Sequence, residues 1–331
     1  MCITSNLFEY SVAIRTVGKA GNKYIKELES LHQQTVKPKH IYIHLAEGFE
    51  RPKEQVGIEE YIISPKGLVH QRAFSAEGVD TEFLLILDDD VYFPEDSIEK
   101  MYKALLHYDA DGVAPDTFPS QHLSFVQKLI MYGANTTYGR HNDGWAIKIE
   151  RTGAFSYNNH PEHGAFYPTQ SAAGTALFIK TEAFKAIHYE HELWVDQYPP
   201  GTFGEDQLMF NKLYKNGFKI LMAYDTGVLH LDANTNKASQ KTYDKLYYRA
   251  MSQYLTWFRS CCDLKGNSKA ERIRCSWAYA YRLFIGSITR LVFSIMHLSP
   301  KFLTAHIKGN WDARNYVRTK EYKSLPNFIL K

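Results

Sequence analysis

The chain has 331 residues, of which 44% are hydrophobic and 14% aromatic, enough for one large α/β domain with an appendage. Its four cysteines, Cys2, Cys261, Cys262 and Cys275, form no CxxC pair; this argues against a disulfide framework or a zinc ligand set and fits a reducing cytosol. The net charge of +3 hides an asymmetry: from Lys237 onward eighteen Lys+Arg face five Asp+Glu, a net +13, while the rest of the chain carries −10.

In chain order, the first 115 or so residues alternate strand and helix patterns. Tyr10–Val17 reads as a strand, and Asn22–Gln33 as a helix with Ile25, Leu28 and Leu31 on one face. Ile41–Leu45 and Tyr61–Ser64 read as strands and Val69–Glu77 as a helix. Phe83–Leu87 is a continuous apolar run, as expected of a parallel strand buried on both faces. Pro94–Tyr108 reads as a helix whose proline and acidic start suit the N-terminal dipole. This alternation predicts an open, mostly parallel sheet with its ligand site beyond the carboxyl ends of the strands. Asp116–Gln170, rich in Gly, Asn, Tyr and His, predicts loops and short elements. Regular structure is expected again at Gly174–Lys180, in a helix over Asp206–Asn216, and in strands at Lys219–Tyr224 and Val228–His230. Beyond Ala233 the pattern is helical, basic and aromatic. No secretory signal is expected at the start of the chain, and the sequon at Asn135 is read as chance.

Four segments point to chemistry. Leu84–Leu87 ends in Asp88-Asp89-Asp90. Asp88 and Asp90, two apart, share a face, and hard carboxylates there suit Mg²⁺ or Mn²⁺. Glu205-Asp206 follows a glycine loop at a predicted helix start, where a carboxylate can serve as general base or merely as a cap. His230 lies on a predicted short strand. Gly174-Thr175 forms a small-residue turn into an apolar strand, implying close approach of backbone or ligand.

In this order the segments resemble the family 2 glycosyltransferases of GT-A fold, from about Tyr10 to Asp232. Ser11–Thr16 looks like the family's first strand. Ser30-Leu31-His32-Gln33-Gln34-Thr35 resembles its SLxxQT helix end. Gly67–Arg72 resembles its G…AR helix, Asp88–Asp90 its DXD element, Gly174–Phe184 its donor and acceptor loop, and Glu205-Asp206 its ED pair. The resemblance implies donor contacts from Thr16, Glu47, Arg72, Asp88, Asp89, Gly174 and Thr175. It implies metal ligation by Asp88, Asp90 and His230, and a general base at Asp206 with Glu205 as the near alternative. Departures stand at Ala46-Glu47-Gly48, in place of the family's base-contacting acidic turn, at Arg15 in place of proline, and at Ala73 in place of asparagine. Gln253–Trp257 lacks the arginine of the processive QxxRW motif, so single addition is favoured.

The tail's Trp277–Ile295 places large apolar residues in a wide helical stripe, with Arg282 and Arg290 at other angles. A spanning helix would bury both arginines at a cost. Two other readings are an interfacial helix, with Trp277 and the arginines at an anionic membrane and further aromatics from Trp257, Phe258, Trp311 and Tyr316, and a helix packed on the domain.

The expectation is thus a GT-A catalytic domain over residues 1–235, nucleotide-binding to about 115, and a helical basic extension over 236–331. The expected activity is inverting transfer from a UDP-linked sugar to a glycan or lipid-linked acceptor of cell-surface polysaccharide. It would need Mn²⁺ or Mg²⁺ and take place on the cytoplasmic face of the membrane, with no nucleic-acid partner. The alternatives are a sugar-1-phosphate nucleotidyltransferase, whose glycine-rich phosphate loop is not evident, and a non-catalytic nucleotide- or nucleic-acid-binding protein.

Overall fold

The computed structural model describes residues 8–53, 55–117, 125, 144–158, 160–231 and 242–330. The Asn135 sequon and the expected domain boundary at residue 235 lie outside them.

Helices α1 (Asn22–His32), α2 (Leu68–Ala73) and α3 (Ser97–His107) alternate with strands β1 (Tyr10–Thr16), β2 (Ile41–Ala46), β3 (Glu59–Ser64), β4 (Phe83–Asp88), the two-residue β5 (Val91–Tyr92) and β6 (Gly112–Pro115). Short strands β7 (Ile147–Ile149), β8 (Phe155–Tyr157) and β9 (Phe166–Thr169) follow, then β10 (Ala176–Lys180), α4 (Thr181–Ala186), a 3-10 helix (Tyr189–Gln197) and α5 (Glu205–Lys215). Strands β11 (Ile220–Ala223) and β12 (Leu229–His230) precede five C-terminal elements among the described residues: α6 (Tyr243–Trp257), a π-helical turn (Phe258–Cys262), α7 (Lys269–Met296), α8 (Lys301–Tyr316) and α9 (Lys320–Lys323).

Eight strands form one sheet in the order β3-β2-β1-β4-β10-β6-β11-β9. Six run parallel, and β10 and β9 run against them. The expected mostly parallel sheet is therefore present. The chain winds outward from β1 through β2 and β3, then returns to the other side of β1 as β4. That reversal opens a crevice at the carboxyl ends of β1 and β4, where Arg15 stands opposite Asp88.

Two helices differ from expectation at their ends. Helix α3 starts at Ser97 instead of Pro94, because the Gln34 side chain intercepts the chain there: Nε2 donates to Pro94 O (2.8 Å) and Oε1 accepts from Ile98 N (3.2 Å). Helix α2 stops at Ala73 and gives way to turns.

An apolar core covers each sheet face. One, around Tyr24, Leu28, Met101 and Leu105, is built from α1 and α3. The other takes in Leu208 and Leu213 of α5 together with Met251, Leu255, Ala313, Val317 and Phe328 of the C-terminal region. The tail thus completes this core. Fully buried Glu192 joins the two, accepting from Lys212 Nζ (2.8 Å) and from Arg259 Nε and Nη2 (3.0 and 2.8 Å).

Candidate active site

The apolar run of β4 buries its strand and delivers the acids where the strand ends: Asp88 is its last residue, and Asp89-Asp90 form the turn into β5. Strand β12 pairs with β5, with His230 opposite Val91. This brings His230 Nε2 to 3.0 Å from Asp90 Oδ1. Leu231 N also donates to Asp90 O (2.8 Å), which fixes the turn.

Asp88 is held differently. Its Oδ1 accepts from Arg15 Nε and from Arg72 Nη2, the latter at 3.3 Å. Burial would raise this carboxyl, but the two guanidiniums outweigh burial and hold it below the usual range. Arg15 Nη1 also donates to Glu205 Oε1 (3.2 Å), and Arg72 Nη1 lies 3.9 Å from the same oxygen. Asp88 and Glu205 are thereby tied into one four-membered network with Arg15 and Arg72. Asp89 lies outside it, and its Oδ2 accepts from Thr16 Oγ1. Burial and repulsion from Asp90 and Asp88 push Asp89 up to about 6, against that hydrogen bond.

Asp206 opens α5 beside Glu205. Its Oδ2 accepts from Gly174 N (3.1 Å) and its Oδ1 from Gln207 N (2.8 Å). Burial and neighbouring Glu205 push its carboxyl up to about 6, while Arg72 and the two backbone donors oppose the rise. Gly174 is required by space: a Cβ would stand 2.4 Å from Arg72 Nη1 and 2.6 Å from Asp206 Cβ. Its carbonyl accepts from Arg72 Nη2 (2.9 Å), so the backbone of one residue touches both side chains. Thr175, next in the chain, gives its carbonyl to Asp88 N (3.0 Å) and shares a 2.8 Å hydroxyl contact with Thr117. Glu47 stands exposed at the carboxyl end of β2.

Sequence reasoning missed several supporting residues. Arg15, noted only as a departure, bridges Asp88 and Glu205; a charged residue near the end of an apolar strand was the available signal. Gln71 Nε2 donates to Thr16 O (3.1 Å) and His44 O (2.7 Å), fixing the ends of β1 and β2. Asp196 caps α2, accepting from Val69 N (2.9 Å) and His70 N (2.8 Å). Buried Glu27 accepts from Val91 N (3.1 Å) beneath the acid turn. Burial, joined by the three aspartates, raises its carboxyl well above the usual range. Nothing in the sequence pattern announced Asp196 or Glu27.

The metal expectation can be weighed on this geometry. A carboxylate oxygen and an imidazole nitrogen 3.0 Å apart have the spacing of adjacent ligands on an octahedral ion with bonds of about 2.1 Å. The mutual repulsion of the three aspartates also favours a cation beside them. Asp90 and His230 therefore fit such an ion, whereas Asp88 is already occupied by two arginines. Among the described residues, only His188, Glu190 and His191 bring three ligand atoms within 4.8 Å of one another, and they lie on the surface outside the acid turn.

The decisive comparison concerns the middle of the chain: the family described as Glycosyl transferase family 2 matches residues 59–163. This stretch, about a third of the chain, is similar to that family. The mostly parallel sheet with an acid turn at the end of β4 agrees with the GT-A arrangement that the sequence resemblance implies. Among solved structures, GalNAc-T7 with UDP, GalNAc and Mn²⁺ is similar over 90% of this chain at 14% identity, with a TM-score of 0.47. This chain spans 59% of that structure's length. Mannosyltransferase PcManGT from Pyrobaculum calidifontis, in complex with GDP-Man and Mn²⁺, is similar over 95% of this chain and 88% of its own, at 10% identity and a TM-score of 0.44. No curated protein matches the chain.

The residues assigned to a membrane divide between the domain and the surface. Arg282 turns inward, donating from Nη1 to Thr152 O (2.9 Å) and lying over the Tyr279 ring. Arg290 is half-buried beside Arg249. Trp257 is buried, stacks on Tyr279 at 4.2 Å and donates from Nε1 to Arg151 O (2.8 Å). Phe258 and Tyr316 are half-buried and pack on the core. Trp277 and Trp311 are exposed.

Proposed function

We propose that this enzyme moves a sugar from a nucleotide sugar, UDP-linked, to a hydroxyl of a glycan or lipid-linked glycan, with inversion at the anomeric carbon. The observation that carries this reading is the division of labour between adjacent acids. Glu205 is bound to two arginines, while Asp206 is held only by backbone N–H groups and is pushed up to about 6. A carboxylate held in this way is oriented and basic enough to take a proton from a sugar hydroxyl near neutral pH.

In the reaction the acceptor oxygen forms a bond to the anomeric carbon as the bond from that carbon to the nucleoside diphosphate breaks. The acceptor proton passes to an Asp206 oxygen, and the electron pair leaves with the diphosphate. Arg15 and Arg72 orient Asp88 at the crevice, and Gly174 orients Asp206 from the other side. Mn²⁺ or Mg²⁺ held by Asp90 and His230 would supply neutralisation of the diphosphate charge. The acceptor's proposed setting is cell-surface polysaccharide synthesis at the cytoplasmic face of a membrane, a reading supported by the net +13 of the tail.

The test is nucleoside diphosphate release from a panel of sugar nucleotides, with Mn²⁺, Mg²⁺ or chelator. Release should require the ion. Asp206→Asn should cut turnover by about 10²-fold or more while retaining donor binding, and Asp90→Ala should abolish the metal-dependent part of donor binding. Full turnover in Asp206→Asn at saturating donor and acceptor would overturn the base assignment.

A further inference from the structure

Helix α7 presents an apolar face that is largely exposed. Trp277, Tyr281, Phe284, Ile288, Leu291 and Ile295 recur at spacings of three and four, so they form one stripe along the helix. Trp277 is 74% exposed, Phe284 63% and Ile295 64%. The opposite side is fully engaged: Tyr279 donates to Asn310 Oδ1 (2.8 Å), Arg282 to Thr152 O, and Gly286 lies against His306 of α8. The helix is thus fixed by its inner side, and Trp277, Phe284 and Ile295 remain mostly exposed. On α8, Trp311 is 61% exposed. Large apolar side chains gathered on one exposed face mark an interaction site.

The chemistry around the face selects its occupant. Arg274 sits one helical turn before Trp277, and Lys308 and Arg314 lie one turn to either side of Trp311; all three are exposed, with Arg274 and Lys308 in exchangeable surface pairs with Glu271 (3.6 Å) and Asp312 (2.6 Å). The exposed tryptophans and tyrosine are the residue types that settle at the headgroup level of a bilayer. At 28 residues the helix is about 42 Å long, yet among the described residues no helix is long and apolar enough to cross a membrane. An amphipathic helix of this kind lies in the plane of the interface.

We infer that the outer face of α7, extended by Trp311 of α8, docks on an anionic bilayer, with the apolar stripe among the acyl chains and flanking Arg274, Lys308 and Arg314 on the phosphates. Arg282 and Arg290 take no part in the docking. Arg282 holds the helix to the domain through Thr152 O, so the enzyme lies on the membrane as a rigid body. This inference stands apart from the sugar-transfer chemistry, since none of these residues belongs to the crevice.

The experiment is co-sedimentation of the full chain with vesicles of phosphatidylglycerol and phosphatidylcholine, and with vesicles of phosphatidylcholine alone, at low and high salt. Wild type should pellet with the anionic vesicles, more weakly at high salt, and its tryptophan emission should shift to the blue. Trp277→Glu/Phe284→Glu, on a surface already exposed, should keep the wild-type Tm and its metal-dependent donor binding while losing vesicle affinity by about tenfold or more. Arg274→Glu/Lys308→Glu should remove the salt-sensitive part. No binding to either vesicle, or equal binding to both, would overturn the proposal. So would a lipid-free dimer that the Trp277→Glu/Phe284→Glu variant dissolves, for the face would then belong to a second copy of the chain. Failure of sugar transfer with vesicle binding intact would instead count against the proposed reaction alone.

Discussion

Helix α5 carries a member of each of two charge clusters, Glu205 and Asp206 in its first turn and Lys212 in its last. At the far end Glu192 is closed off by Lys212, Arg259 and Trp194 Nε1 (2.8 Å), and both Glu192 and Lys212 are fully buried. At the near end, among the described residues, five carboxylates, Asp88, Asp89, Asp90, Glu205 and Asp206, meet two guanidiniums, Arg15 and Arg72, and the His230 imidazole. The closed cluster sets one carboxylate between two cations and joins the C-terminal helices to the sheet. The open one has acid to spare at a crevice between strand ends. Pairing therefore separates structural charge from functional charge better than burial does, because an unanswered charge beside solvent persists only where a ligand or a proton can come and go.

Breaking the closed cluster should produce the largest effect. Glu192→Ala would leave Lys212 and Arg259 buried without their partner. It should cost about 3–5 kcal/mol of stability, read as a lower midpoint in urea, with metal-dependent donor binding retained by the protein that remains folded. A loss below about 1 kcal/mol would mean that the triad is solvated in solution.

Gly174→Ala tests the open cluster through its backbone. The added methyl meets Arg72 and Asp206 at 2.4 and 2.6 Å, and relief requires moving one of them. Turnover should fall about tenfold or more, as expected for a small misplacement of a reacting group, with a stability loss of about 1–3 kcal/mol. Unchanged turnover would show that the position of Asp206 is not set by this contact.

The smallest effect is a shift in a pH profile. The base form of Asp206 is lost as pH falls through about 6, so kcat should decline on the acid side with a midpoint near that value. Glu205→Gln removes a repulsion that raises this carboxyl and leaves Arg72 closer to uncompensated, so the midpoint should move to lower pH. If it stays in place, the acid limb belongs to another group.

Much of this was legible before any coordinates. The continuous apolar run of β4 fixed both the buried central strand and the location of the acid turn, because such a run can end in three aspartates only where the strand leaves the core. Glu205-Asp206 was legible as a pair, but its division of roles was not: that depends on Arg15 and Arg72, from β1 and α2, converging on one oxygen. The tail shows the same limit. Its stripe of large side chains was visible at helical spacing, yet periodicity has no sign and does not tell which side of α7 meets the domain. The structure resolves this by sending Tyr279 and Arg282 inward and Trp277 and Phe284 outward. Asp196 and Glu27 escaped notice because their partners are backbone N–H groups, which leave no trace in a sequence.

The hydroxyl contact between Thr117 and Thr175 has a consequence for how such an enzyme can diversify. Thr117 follows β6 and Thr175 precedes β10, and the two side chains meet as a clasp at 2.8 Å. Between them in the chain lie the β7–β8 hairpin and edge strand β9, which is held by its own pairing with β11. Because the ends are pinned together by the framework, the entropic cost of a longer or shorter insert grows only slowly, by about 0.6 kcal/mol per doubling of a flexible loop. The clasp thus leaves the length of the connection between Thr117 and β7 open to revision, while Gly174, beside the clasp, keeps its contacts with Asp206 and Arg72.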